Sequence, residues 1–268
     1  MIHVATVHWA TDRWIDVQLH YLERHIDQPY RVYACLDEIE QDYSSRFYYS
    51  LSLEKTRHPD KLNLLAELIT GEAAGDDLIV FIDGDAFPIA PLAPAVTQML
   101  AKHPLAAIRR DENLGDPQPH PSFCVTTVAF WQELGGDWSR GQAWLNAEGE
   151  TVNDPGGKVL KALEERGFGW NPILRSNARN LHPIMFGVYG NAIYHHGAGF
   201  RHPLSRSEIA RIPGAGELAG AAQGSPERRQ YLELTKELRD ENERLSEFVF
   251  DRIRSDDDFA HSLFLTGP

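Results

Sequence analysis

Five consecutive apolar residues, Leu78 to Ile82, run directly into Asp83-Gly84-Asp85. A run this apolar suits a central strand of a parallel sheet, covered on both faces. Open sheets of that kind bind ligands outside the carboxyl ends of their strands, where the two carboxylates stand. Gly84 lets the backbone turn sharply between them, so Asp83 and Asp85 can converge on a hard divalent cation that prefers oxygen ligands. An ordinary acidic turn is spelled the same way; the place at a strand end favours the cation.

The flanking sequence supplies the rest of an α/β fold. Residues 2–8 (IHVATVH) read as a buried strand, Asp12 to Ile26 as a helix with Thr11 or Asp12 at its N-cap, and Tyr30 to Leu36 as a second strand. Strand, helix, strand with short connections begins a βαβ unit and a parallel sheet. His58-Pro59-Asp60 opens a helix that leads into the acidic strand, and Leu92 to His103 reads as another helix. Leu105 to Ile108 and Phe123 to Trp131 read as strands, with the charged, proline-rich stretch Arg109 to Pro121 between them as a loop over a site. Pro155 to Arg166 reads as a helix with Asp154 at its N-cap, and Ala192 to His195 as a short strand. The expected organisation is a catalytic domain over 1–212 and an extension over 213–268. The extension has a Gly/Ala-rich linker over 213–226 and then an amphipathic helix from Pro226 to Phe250. That helix would pack on the main domain or on a second copy, as in a homodimer.

A net charge of −13 argues against a nucleic-acid or anionic-membrane partner, which would need clustered Lys and Arg. A phosphate-bearing small molecule stays open, because a bound divalent cation inverts the local charge. Cys35 and Cys124 lie in apolar runs and read as buried thiols. With no visible signal peptide and no apolar run of bilayer length, the expected location is cytoplasmic.

The second informative stretch is NAIYHHGAGFRHP. A short strand delivers His195 and His196 into a glycine-rich turn ending in Arg201. One imidazole would complete a metal site begun by two carboxylates; alternation along a strand allows only one of the pair to ligate, with His195 slightly preferred. Gly197 and Gly199 would let the backbone approach a phosphate, and Arg201 would clamp it.

Together, this order of elements, the strand-end D-x-D and the late histidine segment resemble a metal-dependent GT-A glycosyltransferase. The late segment is similar to the H-x-x-G-x-x-K of glycogenin-like retaining families, with Ala198 at the glycine position when counted from His195. DPGGKVLKALEERG and LRSNARNLHPIMFGVYGNAIYHHGAGFR resemble uncharacterised bacterial glycosyltransferases, over roughly residues 1–205. The resemblance implies a GT-A-like, mostly parallel mixed sheet with helices on both faces. It also implies Mn2+ or Mg2+ held by Asp83, Asp85 and His195 or His196, and a UDP- or GDP-sugar donor with an unidentified acceptor. It places the nucleotide across the ends of the first two strands, at Thr6, Val7, His8 and Asp37, with Gly84 at the metal turn and Lys61 within reach of the diphosphate. Asp154 would orient the reacting sugar, or act as base if the reaction inverts configuration; the H-x-x-G-x-x-K likeness leans towards retention. Two other readings of Asp83-Gly84-Asp85 compete: a haloacid-dehalogenase-like phosphohydrolase with Asp83 as nucleophile, and a binding module without turnover.

Overall fold

The computed structural model describes residues 1–267 other than 54, 114, 147, 148, 150, 200–202, 205–207, 210 and 211. It divides into two compact units, Met1–Gly199 with Ala260–Pro268, and Phe200–Phe259.

In the first unit, seven strands form one sheet. They are β1 (Ile2–Trp9), β2 (Tyr30–Asp37), β3 (Tyr49–Leu51), β4 (Leu78–Asp83), β6 (Leu105–Ile108), β7 (His120–Thr127) and β10 (Asn171–Ile173), in spatial order β10-β6-β7-β4-β1-β2-β3. All are parallel except β7, which pairs antiparallel with β4 and β6. β1 is the pivot. The chain moves outward from it to β2 and β3, then crosses back to lay β4 on its other side. That reversal opens a crevice at the carboxyl ends of β1 and β4, where Val7 pairs with Asp83.

Helices cover both faces, as expected for a central strand apolar throughout. On one face, α1 (Ile15–His25) and α3 (Leu92–Met99) pack Ile15, Leu22 and Val96 against Val4, Val80 and Ile82. On the other, α2 (His58–Glu72), α4 (Val128–Leu134) and α5 (Gly157–Arg166) pack Leu62, Leu65, Val128 and Val159 against Ala5, Phe81 and Cys124. Each such Val, Leu, Ile or Phe side chain, fully buried, contributes roughly 1.5–3 kcal/mol. Both cysteines are buried and unpaired.

Several local expectations are corrected. Phe123 to Trp131 is not one strand: Thr127 accepts the Phe130 N–H with its hydroxyl, and this N-cap turns the apolar VAFW into α4. Neither Thr11 nor Asp12 caps α1, which starts after Trp14. Asp154 does not cap α5 either. Gly156 holds that place with φ +97, where a Cβ would stand 2.1 Å from the Pro119 carbonyl oxygen. The helix expected over 92–103 ends at Met99.

In the second unit, part of the expected linker is a short helix, Ala215–Gly220. The amphipathic helix runs Pro226–Ser255, opened by Ser225, whose hydroxyl accepts the Arg228 N–H. Among the described residues no helix is long and apolar enough to cross a membrane.

Candidate metal centre

A second, small sheet explains how residues 110 positions apart meet. Directly after Asp85 the chain forms β5 (Ala86–Pro88), which pairs antiparallel with β12 (Ile193–His195), and β12 pairs with β11 (Gly187–Tyr189). The register sets His195 opposite Ala86, and the His196 N–H donates to the Asp85 carbonyl at 3.0 Å. Gly190 and Asn191, both at positive φ, turn the chain between β11 and β12, and the Ala192 N–H donates to the Tyr189 carbonyl at 3.1 Å.

The metal-capable atoms of Asp83, Asp85 and His195 all lie within 4.8 Å of one another. His195 Nε2 is 3.7 Å from Asp83 Oδ2 and 3.5 Å from Asp85 Oδ1. Burial pushes both carboxyl groups up. For Asp83 the imidazoles of His58, His195 and His120 outweigh it, and for Asp85 chiefly His195, so both stay ionised below the usual carboxylate range. The second oxygen of Asp85 is fixed by the N–H groups of Gly197 at 3.1 Å and Gly199 at 2.9 Å. Gly199 is required there, because a Cβ would lie 2.5 Å from Asp85 Cβ. Asp83 Oδ1 is buried, with the His58 imidazole beside it. Two ionised carboxylates and one imidazole around such an oxygen fit Mn2+ or Mg2+, the imidazole favouring Mn2+.

The acidic turn is pinned from below by Gln18. Its side-chain N–H group donates at 2.8 Å to the carbonyls of both Asp83 and Ala86, while its oxygen accepts from Thr6 and His8. His8 is fully buried, and burial holds its imidazole neutral, with a pKa lowered to about 4. Thr6, Val7 and His8 are all buried, Val7 in the core beneath α2 and Thr6 and His8 against the Gln18 side chain. Gly84 lies on His8: a Cβ would stand 2.6 Å from the Val7 carbonyl oxygen and 2.7 Å from the imidazole. Because β1 is paired on both sides, that carbonyl has no room to yield. Gly84→Ala is expected to cost about 1–3 kcal/mol in denaturant unfolding, by overpacking, and to weaken Mn2+ binding by displacing the carboxylates.

The other sequence candidates are distributed as follows. His196 is buried against Trp14, its ring centre 4.5 Å from that of Trp14 and its Nδ1 2.9 Å from the Tyr194 hydroxyl. Burial holds it neutral, with a pKa lowered to about 3. Asp37 ends β2 in a buried ion pair with Lys61 from α2, and also accepts from the Ser52 hydroxyl and the Leu53 N–H. Asp154 is half-buried just before α5, and Asp116 feels its charge. Arg201 lies outside the described residues.

The structure also brings up residues that sequence reasoning passed over. His58 Nε2 at the start of α2 is 3.3 Å from Asp83 Oδ1. The His120 ring centre is 6.2 Å from that of His195. Arg110 and Asp116, from the loop before β7, are both buried. Gln18 left a readable signal, as a polar residue on the apolar face between Ile15 and Leu22.

Burial, with smaller contributions from Asp154 and Glu112, raises the Asp116 carboxyl to about 7 against the pull of the Gln118 N–H and Arg110. The unfolded chain loses this proton near pH ~4. As pH rises from there to about 7 the folded state holds the extra proton, so wild-type stability falls across that window relative to Asp116→Asn. Urea unfolding of both proteins at pH 5 and pH 8 should show the gap shifting in favour of the variant at the higher pH.

Neither a family model nor a curated protein matches the chain. Solved structures similar to it include glycosyltransferases. The galactosyltransferase LgtC, solved with donor and acceptor sugar analogues, is 12% identical at a TM-score of 0.42, covering 85% of this chain and 99% of its own. The mannosyltransferase PcManGT from Pyrobaculum calidifontis, in complex with GDP-Man and Mn2+, is 15% identical at 0.43, covering 65% of this chain and 54% of its own. TarS of S. aureus is 14% identical at 0.38 over 51% of this chain, and the match spans only 30% of TarS. Likeness at this level says nothing about chemistry, which has to be read from the residues at the strand ends.

Proposed function

We propose that this chain is a metal-dependent glycosyltransferase. It moves a sugar from a UDP- or GDP-sugar to an acceptor, with retention at the anomeric carbon. The observation that carries this reading is the convergence of Asp83, Asp85 and His195 beside the β1–β4 crevice, the place where an open parallel sheet takes a nucleotide. Retention follows the likeness of the late histidine segment to H-x-x-G-x-x-K.

In this reading Asp83, Asp85 and His195 hold Mn2+ or Mg2+, which when bound offsets the charge growing on the departing nucleoside diphosphate. The chain's own groups prepare that site. Gly197 and Gly199 hold Asp85 by their N–H groups, so that its other oxygen is presented to the crevice beside His195. Gln18 fixes the backbone on both sides of the turn, so little reorganisation is needed when ligand arrives. His195 ligates through Nε2, the atom nearest both carboxylates. Arg201, six residues after His195, is assigned the diphosphate clamp, and Asp154 the orientation of the reacting sugar. The paired placement of His195 between both carboxylates favours a shared cation over an Asp83 nucleophile.

Donor hydrolysis tests the reading. With Mn2+, slow nucleotide release is expected from one member of a UDP- and GDP-sugar panel, abolished by chelator and by His195→Ala. Turnover of a phosphate monoester through Asp83, with His195 dispensable, would replace this function with a phosphohydrolase.

A further inference from the structure

The loop between β6 and β7 carries polar groups that the metal centre does not use. Arg110 is the clearest. It is 7% exposed, its Nε is buried without a hydrogen-bond partner, and its ion pair is a loose one, 3.7 Å to Glu112 Oε1. That same oxygen already accepts a 2.6 Å hydrogen bond from the Tyr189 hydroxyl. A desolvated guanidinium with an open Nε–H is costly unless something completes it. The charges of both Asp116 and Asp83 act on Arg110.

His120 is a second donor. Its Nδ1 accepts the Ser122 N–H at 3.1 Å, which leaves the hydrogen of the neutral ring on Nε2. Two acceptors lie along the same loop. Asp116 is buried, and one of its oxygens takes the Gln118 N–H at 3.2 Å. Gln118 is fully buried; its amide nitrogen donates to the Pro155 carbonyl at 3.0 Å, while its Oε1 is buried without a partner.

Open donors and open acceptors in one loop call for a ligand that both accepts and donates. A hydroxyl does so; a carboxylate or phosphate only accepts, and here would lie near the carboxylates of Glu112 and Asp154.

We propose that Arg110 and Asp116 read the hydroxyl groups of the transferred sugar, and that this sugar is neutral rather than a uronic acid. The assignment rests on the glycosyltransferase reading above. Arg110 donates to a sugar oxygen, and Asp116 with Gln118 accepts from hydroxyl hydrogens. His120, nearest the metal centre, donates to the part of the sugar that adjoins the diphosphate. All four are specificity determinants rather than bond-making groups.

Calorimetric titration in Mn2+ separates the sugar from the nucleotide. The ligands are UDP, GDP, UDP-glucose, UDP-galactose, GDP-mannose and UDP-glucuronate, and the proteins are wild type, Arg110→Gln and Asp116→Asn. Wild type should bind one neutral nucleotide sugar more tightly than its own nucleoside diphosphate, and UDP-glucuronate no more tightly than UDP. Each variant should lose about tenfold to a hundredfold of the added affinity, as for a buried hydrogen bond to a charged group, while keeping the Kd for the nucleoside diphosphate. The diphosphate Kd also reports the fold, and the near-isosteric Asp116→Asn guards against a misfolded Arg110 variant. Equal weakening of both ligand classes would make Arg110 a diphosphate clamp and overturn the proposal, as would preference for UDP-glucuronate or unchanged sugar affinity in both variants. A wild type that binds neither UDP nor GDP in Mn2+ would sink the glycosyltransferase reading itself, and this assignment with it.

Discussion

Asp85→Ala should abolish measurable Mn2+ binding while leaving the fold intact. Asp85 is the most heavily committed of the three proposed ligands. One oxygen is held by two backbone N–H groups, and the other stands 3.5 Å from His195 Nε2. Removing the carboxylate takes away one of two negative charges and leaves the His195–His196 turn without its anchor. A ligand set reduced to one carboxylate and one imidazole is expected to bind at least about a hundredfold more weakly, beyond the loss seen when only a supporting group is removed. Calorimetry with Mn2+ measures the loss, and far-ultraviolet circular dichroism checks the fold. Affinity within a few-fold of wild type would place the cation elsewhere.

Lys61→Met should destabilise the protein by about 3–5 kcal/mol, because it strands the buried carboxylate of Asp37. Burial pushes that carboxyl up, and Lys61 with the Leu53 N–H and the Ser52 hydroxyl brings it below its ordinary value, so the charge persists in the fold. Adding Asp37→Asn to Lys61→Met removes the orphaned charge while keeping an oxygen for Ser52 and Leu53, and should recover most of the loss. Urea unfolding of the two proteins reads the difference. A Lys61→Met cost below ~1 kcal/mol would mean the pair is not sustaining the end of β2.

What the sequence made legible follows from periodicity and from residue type. The apolar run before Asp83 announced a central strand, and the carboxylates at its end lie where that strand meets the switch in strand order. His195 could be favoured over His196 only weakly from alternation. The structure separates them by pairing: β12 lies against β5, turning His195 toward the carboxylates and His196 onto Trp14. That pairing joins three-residue strands far apart in the chain, too short for any periodic signal. Its one local sign was the Gly190-Asn191 turn between two apolar runs.

Glycine roles were harder to read. Gly197 and Gly199 suggested close approach of the backbone to a phosphate, whereas their N–H groups go to Asp85. Both uses need an uncovered backbone, so residue type alone does not separate them. The Thr127 cap was equally invisible beneath β-forming neighbours, and α4 was read as the end of a strand. Arg110 and Asp116 stand in a loop whose charged, proline-rich composition suggested a cover over a site without singling out any residue, and only burial reveals them.

The most direct test of the central claim is a crystal structure with Mn2+ and UDP or GDP, read at the manganese absorption edge. The account predicts one anomalous peak about 2.2 Å from oxygens of Asp83 and Asp85 and from His195 Nε2, with the diphosphate bound to the same ion. A diphosphate bound in the crevice with no metal at these three residues, or a peak on other ligands, would contradict it.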